Sequence, residues 1–238
     1  MLSIVIPAYN EEARLPNTLN KTIHYLEDHC FAYEIIVVSD GSVDKTNQIV
    51  SEISAQNPKI KLLKNIKNQG KGAGVKKGIL AAKGGTVLFM DADNSTEISE
   101  IGKFFSYLEG FDIIIGSRAL PESKIVDHQF WMREYTGKLF NKVVQAFFMK
   151  GIQDTQCGFK LFKRDAAMAI FKRASINGFC FDLEILLIAR QLGYKIKEVP
   201  VSWTNSKPSK VSFFRSSLSI VADLFRIYNK GQIYKYHN

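Results

Sequence analysis

From Leu2 to Gly116 the chain repeats one pattern: a short apolar run, a cluster of polar turn residues, then an amphipathic stretch. The runs Leu2–Ile6, Glu34–Val38, Ile60–Leu63, Thr86–Met90 and Asp112–Gly116 predict strands. Their unbroken apolar character, clearest in Ile35-Ile36-Val37-Val38, predicts burial on both faces. Between them, Thr18–Asp28, Lys45–Ala55, Ala73–Ala82 and Glu97–Leu108 carry apolar residues at helical spacing. A βαβα order of this kind folds as an α/β unit, with a largely parallel sheet covered by helices and right-handed crossovers. Ligands of such sheets lie beyond the carboxyl ends of the strands.

That placement makes the turn clusters informative. They are Pro7-Ala8-Tyr9-Asn10-Glu11-Glu12, Ser39-Asp40-Gly41-Ser42-Val43-Asp44, Lys67-Asn68-Gln69-Gly70-Lys71-Gly72, Asp91-Ala92-Asp93 and Gly116-Ser117-Arg118. Any one of them is ordinary turn chemistry. Five in succession on one sheet edge form a site.

The second half is less regular. Apolar residues from Trp131 to Lys150 predict a helix over Tyr135–Lys150, a second helix spans Phe181–Leu192, and Lys195–Val201 reads as a strand. Phe214, Leu218, Val221, Phe225 and Tyr228 share one face of an amphipathic tail over Ser212–Tyr228. The expected organisation is a catalytic domain over 1–210 and an amphipathic tail over 211–238. No run approaches the roughly 20 apolar residues of a membrane-spanning helix, and the N-terminus reads as a first strand with no signal peptide. Cys30, Cys157 and Cys180 have no metal-ligand spacing, and they fit a reducing, cytosolic setting. The formal charge of +9 favours anionic partners.

Asp91-Ala92-Asp93 carries the most chemistry. Alternate residues of an extended segment point the same way, so both carboxylates can approach one cation. Hard oxygen ligands suit Mg²⁺ or Mn²⁺, which bridge protein carboxylates to substrate phosphates. Such an ion offsets the charge that grows on a departing diphosphate. Asp40 and Glu11 are placed to accept hydrogen bonds from a base or ribose, with Tyr9 packing on the base. Lys71 is placed to meet a diphosphate, aided by backbone N–H groups at the start of the next helix. Asp44 reads as a helix cap. Gly70-Lys71-Gly72-Ala73-Gly74 is neither a P-loop nor a dinucleotide fingerprint.

These segments, in this order, resemble family 2 glycosyltransferases of the GT-A fold. Asp154-Thr155-Gln156-Cys157-Gly158-Phe159-Lys160, Phe181-Asp182-Leu183-Glu184 and Glu198-Val199-Pro200-Val201-Ser202-Trp203 narrow the likeness. They are similar to the dolichyl-phosphate glucosyltransferase and mannose synthase branch, the glucosyltransferases more closely. The resemblance implies an inverting hexosyl transfer, a divalent metal on Asp91 and Asp93, and a polyprenyl phosphate acceptor. It implies donor contacts from Pro7, Tyr9, Glu11, Asp40 and Lys71. It also implies acceptor-phosphate contacts from Arg118 and Arg133, and closure of Lys210 over the donor diphosphate. Asp154 either orients the acceptor or the sugar hydroxyls, or ties down a turn.

The resemblance points to UDP-glucose as donor, with GDP-mannose second, since the base-side residues suit uracil or guanine. Ser39 departs from the pattern, standing where many relatives carry a second Asp, and Asn94-Ser95-Thr96 differs from the small-residue run of eukaryotic glucosyltransferases. The missing membrane span suggests a peripheral enzyme on the cytoplasmic face of a membrane, with an undecaprenyl-type or archaeal dolichyl-type lipid. No nucleic-acid partner is expected.

The acceptor expectation also has a chemical basis. A phosphate monoester is already anionic near neutral pH, so it needs positioning by arginine forks more than a strong base. A family 2 enzyme acting on a saccharide hydroxyl in glycan synthesis would need that base, and it is the competing reading. A catalytically silent surface protein on the same fold is the alternative from another class.

Overall fold

The computed structural model describes residues 1–127, 131–206, 220 and 222–229. Its elements run β1 (Leu2–Ala8), α1 (Leu15–Asp28), β2 (Tyr33–Asp40), α2 (Thr46–Gln56), β3 (Ile60–Asn65), α3 (Lys71–Ala81) and β4 (Thr86–Met90). There follow α4 (Ile101–Phe105), β5 (Ile113–Ser117), β6 (Lys124–Asp127), α5 (Trp131–Phe147), β7 (Phe159–Lys163), α6 (Arg164–Arg173), α7 (Phe181–Gln191), β8 (Ile196–Pro200) and β9 (Ser202–Thr204). Seven strands form one sheet in the order β3-β2-β1-β4-β7-β5-β8, and β6 pairs with β9 in a separate ribbon.

Strand alternation builds the two cores. Ile35 and Val37 face one side with Leu15, Leu19, Val50 and Phe104. Ile36 and Val38 face the other with Val75, Ile79, Phe171 and Phe181. Both faces are covered, which is why the strands lack polar residues at alternate positions.

The parallel expectation holds for β1–β2, β1–β4, β2–β3 and β5–β8. It fails at the centre. β7 runs antiparallel between β4 and β5, so the fourth and fifth predicted strands are not neighbours. Neither β7 nor α6 was expected: the lysines of Phe159-Lys160-Leu161-Phe162-Lys163 interrupt the apolar run that marks the other strands. The helix expected over Glu97–Leu108 is a 3-10 turn at Ile98–Glu100 followed by the short α4. Tyr107 and Leu108 continue it with tight i→i−3 bonds to Phe104 and Phe105.

The amphipathic tail is described only in part, and residues 212–219 lie outside the described chain. Residues 222–229 are helical. Ile227 is buried and Ile220 and Leu224 pack against the core, whereas Phe225 points outward at 66% exposure. The face expected to unite Phe225 and Tyr228 is therefore the outer one. Tyr228 is itself about half exposed, and its ring lies 6.5 Å from that of Phe148 just after α5.

Helix α3 lies against the sheet through glycines. A Cβ on Gly78 would stand 2.3 Å from Val5 Cγ1 and 3.0 Å from Val38 Cγ2. Gly78→Ala is expected to destabilise the fold by about 1–3 kcal/mol through overpacking. That outweighs the roughly 1 kcal/mol gain in helix propensity, and urea denaturation will show the net sign.

Candidate active site

The polar clusters do converge at one sheet edge, and backbone-to-side-chain hydrogen bonds lace them together. Asn10 sits at φ +56°. Its amide donates to Ser42 Oγ (3.0 Å) and its Oδ1 accepts from Val43 N (2.9 Å). Glu11 N donates to Thr46 Oγ1, and Glu12 N to Asp44 Oδ2. Asp44 also accepts from Thr46 N at 3.0 Å, but it stands one residue before the N-cap of α2, Lys45, so the cap expected of it is displaced by one position. Ser39 donates to Ser42 Oγ at 2.9 Å. The loop after β1 is thus fastened to the loop after β2, with Tyr9 exposed beside them.

Asp40 has a different occupation from the expected one. It is buried, and its carboxylate accepts from Asn65 Nδ2 (2.7 Å), Gln69 N (3.0 Å) and Gly70 N (2.8 Å). It therefore shapes the loop that precedes α3. The same contacts narrow the backbone contribution expected at the start of α3. The Gln69 and Gly70 amides are committed to Asp40, Gly72 N donates to Asn177 O (2.8 Å), and Gly74 N donates to Gly70 O. Lys71 brings its side chain, while those four amides are spent inside the protein. Gly70 takes φ +106°, and a Cβ there would meet Asn177 O at 2.4 Å, so the loop admits no other residue without moving.

Asp91 and Asp93 stand just past β4, where the chain turns instead of continuing extended. Asp91 lies flat on Gly158, whose Cβ, if it had one, would be 2.0 Å from Asp91 Oδ2; Asp91 N donates to Gly158 O at 3.0 Å. Lys71 Nζ is 2.7 Å from Asp91 Oδ1. Burial alone would lower the Lys71 ammonium, but Asp91 and Asp182 beside it hold it above its ordinary value. Asp93 Oδ1 accepts from Ser95 N (3.0 Å), and its Oδ2 lies 3.8 Å from Arg14 Nη1. Arg14 forks Glu11, with Nε 2.6 Å from Oε2 and Nη2 on Oε1. Glu11 thus reaches the site through Arg14, a residue to which the sequence reading assigned no role. Its signal was the i,i+3 spacing from Glu11 at the start of α1.

Both metal-motif carboxylates remain partly open, with side chains 34% and 25% exposed. Among the described residues no group of three His, Cys, Asp or Glu side chains is disposed to hold a metal. Two hard carboxylates with an open side fit a divalent ion whose other ligands are phosphate oxygens and water.

Below them lies a buried charge network. Lys160, with no exposure, donates to Cys157 O (2.6 Å) and pairs with Asp182. Both Lys71 and Lys160 face the Phe89 ring, at 5.2 and 5.7 Å from its centroid. Burial pushes the Asp182 carboxyl up, with Lys160 and Lys71 opposing it. Glu184 accepts from Ser175 N and Ile176 N, ordering the turn that contacts Gly70 and Gly72.

Next along the edge, Arg118 turns a bidentate fork onto Asp154, Nε to Oδ2 at 2.7 Å and Nη2 to Oδ1 at 2.9 Å. Nη1 lies outside that pair, and the guanidinium stands 5.8 Å from the Trp203 ring centroid. Burial would raise the Asp154 carboxyl, but Arg118 overrides it and holds it below its ordinary value. Glu198 accepts from Gln153 N and Asp154 N, fixing this turn from behind. Burial, with Asp154 nearby, pushes the Cys157 thiol up to about 12, so it is no nucleophile. Arg133 lies in the first turn of α5, and Lys210 lies outside the described residues. Pro7 lies near the end of β1 beside α3, its Cβ 3.5 Å from where a Gly74 Cβ would stand.

Comparison with known proteins agrees with this architecture. The family model "Glycosyl transferase family 2" matches residues 3–171. The dolichyl-phosphate beta-glucosyltransferase of Dictyostelium discoideum is 40% identical over 239 residues, covering 95% of this chain and 73% of that one. The Homo sapiens protein of the same name is 36% identical over 240 residues, covering 95% and 74%. Among solved structures, mannosyl-3-phosphoglycerate synthase from Rubrobacter xylanophilus superposes with a TM-score of 0.75 at 15% identity, covering 97% of this chain and 75% of that one. The glucosyl-3-phosphoglycerate synthase of Mycobacterium tuberculosis, solved with Mn²⁺, UDP and phosphoglyceric acid, gives 0.71 at 18% identity, covering 96% and 78%. The fold is GT-A, and the chain belongs to glycosyl transferase family 2.

Proposed function

We propose that this hexosyltransferase moves glucose from UDP-glucose to a dolichyl-type polyprenyl phosphate, with inversion, giving a lipid-phosphate-linked sugar. The relatives' names supply the sugar and the lipid. The observation that carries the acceptor class is the Arg118–Asp154 fork. A carboxylate held below its ordinary value by a bidentate guanidinium is a poor general base. A phosphate acceptor, already ionised, has no need of one, while a saccharide hydroxyl would.

Asp91 and Asp93 are the residues that would hold a Mg²⁺ or Mn²⁺ ion. Bound there, the ion supplies Lewis acidity to the leaving diphosphate. Lys71 adds a positive charge on the same side, where negative charge develops as the glycosidic bond breaks. Tyr9, Pro7 and the Arg14–Glu11 pair border the donor; Asp40 supports it indirectly through the loop before α3. Arg118 and Arg133 serve the acceptor phosphate, with Asp154 setting the plane of the Arg118 guanidinium. Lys210 closes over the donor.

The lipid acceptor calls for a membrane surface. Among the described residues no helix is long and apolar enough to cross a membrane. Phe147 is 73% exposed with Val143 one turn before it on α5, and Phe225, Tyr228 and Arg226 are exposed on the segment 222–229, whose Tyr228 ring lies 6.5 Å from that of Phe148. We assign this face to peripheral contact with an anionic bilayer on its cytoplasmic side, where nucleotide-sugars are available. Residues 1–210 then form the catalytic domain and 211–238 the interfacial tail.

Transfer of radiolabel from UDP-glucose and from GDP-mannose to dolichyl phosphate in detergent tests the reaction. Label from UDP-glucose in the lipid fraction, lost in excess EDTA, is expected; label only in a saccharide product would sink the proposal. Asp93→Ala should lower turnover by at least about a hundredfold. Arg133→Ala should raise the KM for the lipid at least about tenfold while sparing UDP binding. Phe147→Asp with Phe225→Asp should reduce co-sedimentation with anionic liposomes but leave transfer to a short, water-soluble polyprenyl phosphate intact.

A further inference from the structure

Each metal-motif carboxylate already has a cation of the chain beside it. Lys71 Nζ is 2.7 Å from Asp91 Oδ1, and Arg14 Nη1 is 3.8 Å from Asp93 Oδ2. Arg14 is shared with Glu11, whereas Lys71 is directed at Asp91. The backbone on either side of Lys71 is fixed, with Gly70 N on Asp40 and Gly72 N on Asn177 O. Only its four-carbon stem can swing. Asp91 cannot withdraw, because its carboxylate lies against the Gly158 backbone.

A divalent ion arriving alone meets an anion already neutralised and a neighbouring ammonium that repels it. A nucleoside diphosphate changes both terms: it brings negative charge for the ion and a new partner for Lys71. We infer that Lys71 occupies the cation's side of Asp91 in the nucleotide-free protein and leaves it for the donor diphosphate. Metal and nucleotide then enter as one unit, and the bare protein holds the ion weakly. This rests on the metal assignment made above to Asp91 and Asp93. By linkage, the coupling is reciprocal: the ion favours the nucleotide as much as the nucleotide favours the ion.

The test is Mn²⁺ binding followed by the electron spin resonance of the free ion, with and without UDP, in wild type, Lys71→Met and Lys71→Arg. Lys71→Met without UDP should bind Mn²⁺ about tenfold or more tightly than wild type. Lys71→Arg, which keeps the cation, should match wild type. Equal or weaker binding by Lys71→Met, while wild type still binds Mn²⁺ with UDP, overturns this inference alone. Failure of wild type to bind Mn²⁺ even with UDP overturns the metal assignment as well. Should Lys71→Met not fold, the wild-type protein still decides. Its Mn²⁺ affinity should rise about tenfold or more when UDP is added, and equal affinity with and without UDP overturns the inference.

Discussion

An ammonium without solvent, Lys160 on β7, is the interaction on which the active site rests. Its pairing with Asp182 ties β7 to α7, and its bond to Cys157 O fixes the turn that leads into the strand. That turn supplies Asp154 to Arg118 and lays Gly158 under Asp91. Removing one partner from a buried pair generally costs about 3–5 kcal/mol, since the other charge is left uncompensated. Here the loss would fall directly beneath the metal motif.

Much of the site was legible because its chemistry sits where strands end. Asp91 and Asp93 follow Thr86–Met90 directly, and the structure leaves both partly exposed just past that strand. The first, second and fourth strands were equally legible, since each is mainly an apolar run that a doubly covered sheet explains.

What escaped the sequence was long-range. Arg118 looked like a group waiting for a substrate and Asp154 like either such a group or a turn tie, yet the chain folds so that these residues, 36 positions apart, are each other's partner. Asp40 looked like a base or ribose ligand; the loop 29–30 residues later claims its oxygens through backbone amides, which side-chain identity cannot announce. β7 hid because a lysine inside an apolar strand reads as an interruption until its buried carboxylate partner is in view. The direction of that strand has no signature in a period-two pattern.

The position of β7 also dictates an order of assembly. β3, β2, β1 and β4 draw only on the first ninety residues, and they can pair while the rest of the chain is still being synthesised. β5 does not dock on them directly, because its strand partners among the described residues are β7 and β8. Until residues 159–163 arrive, β4 is an open, apolar sheet edge, the kind of surface that recruits other chains. A truncated or stalled chain ending before β7 would thus carry most of the donor-side loops and none of their floor. It would meet the cell as an aggregation hazard before it could act as an enzyme.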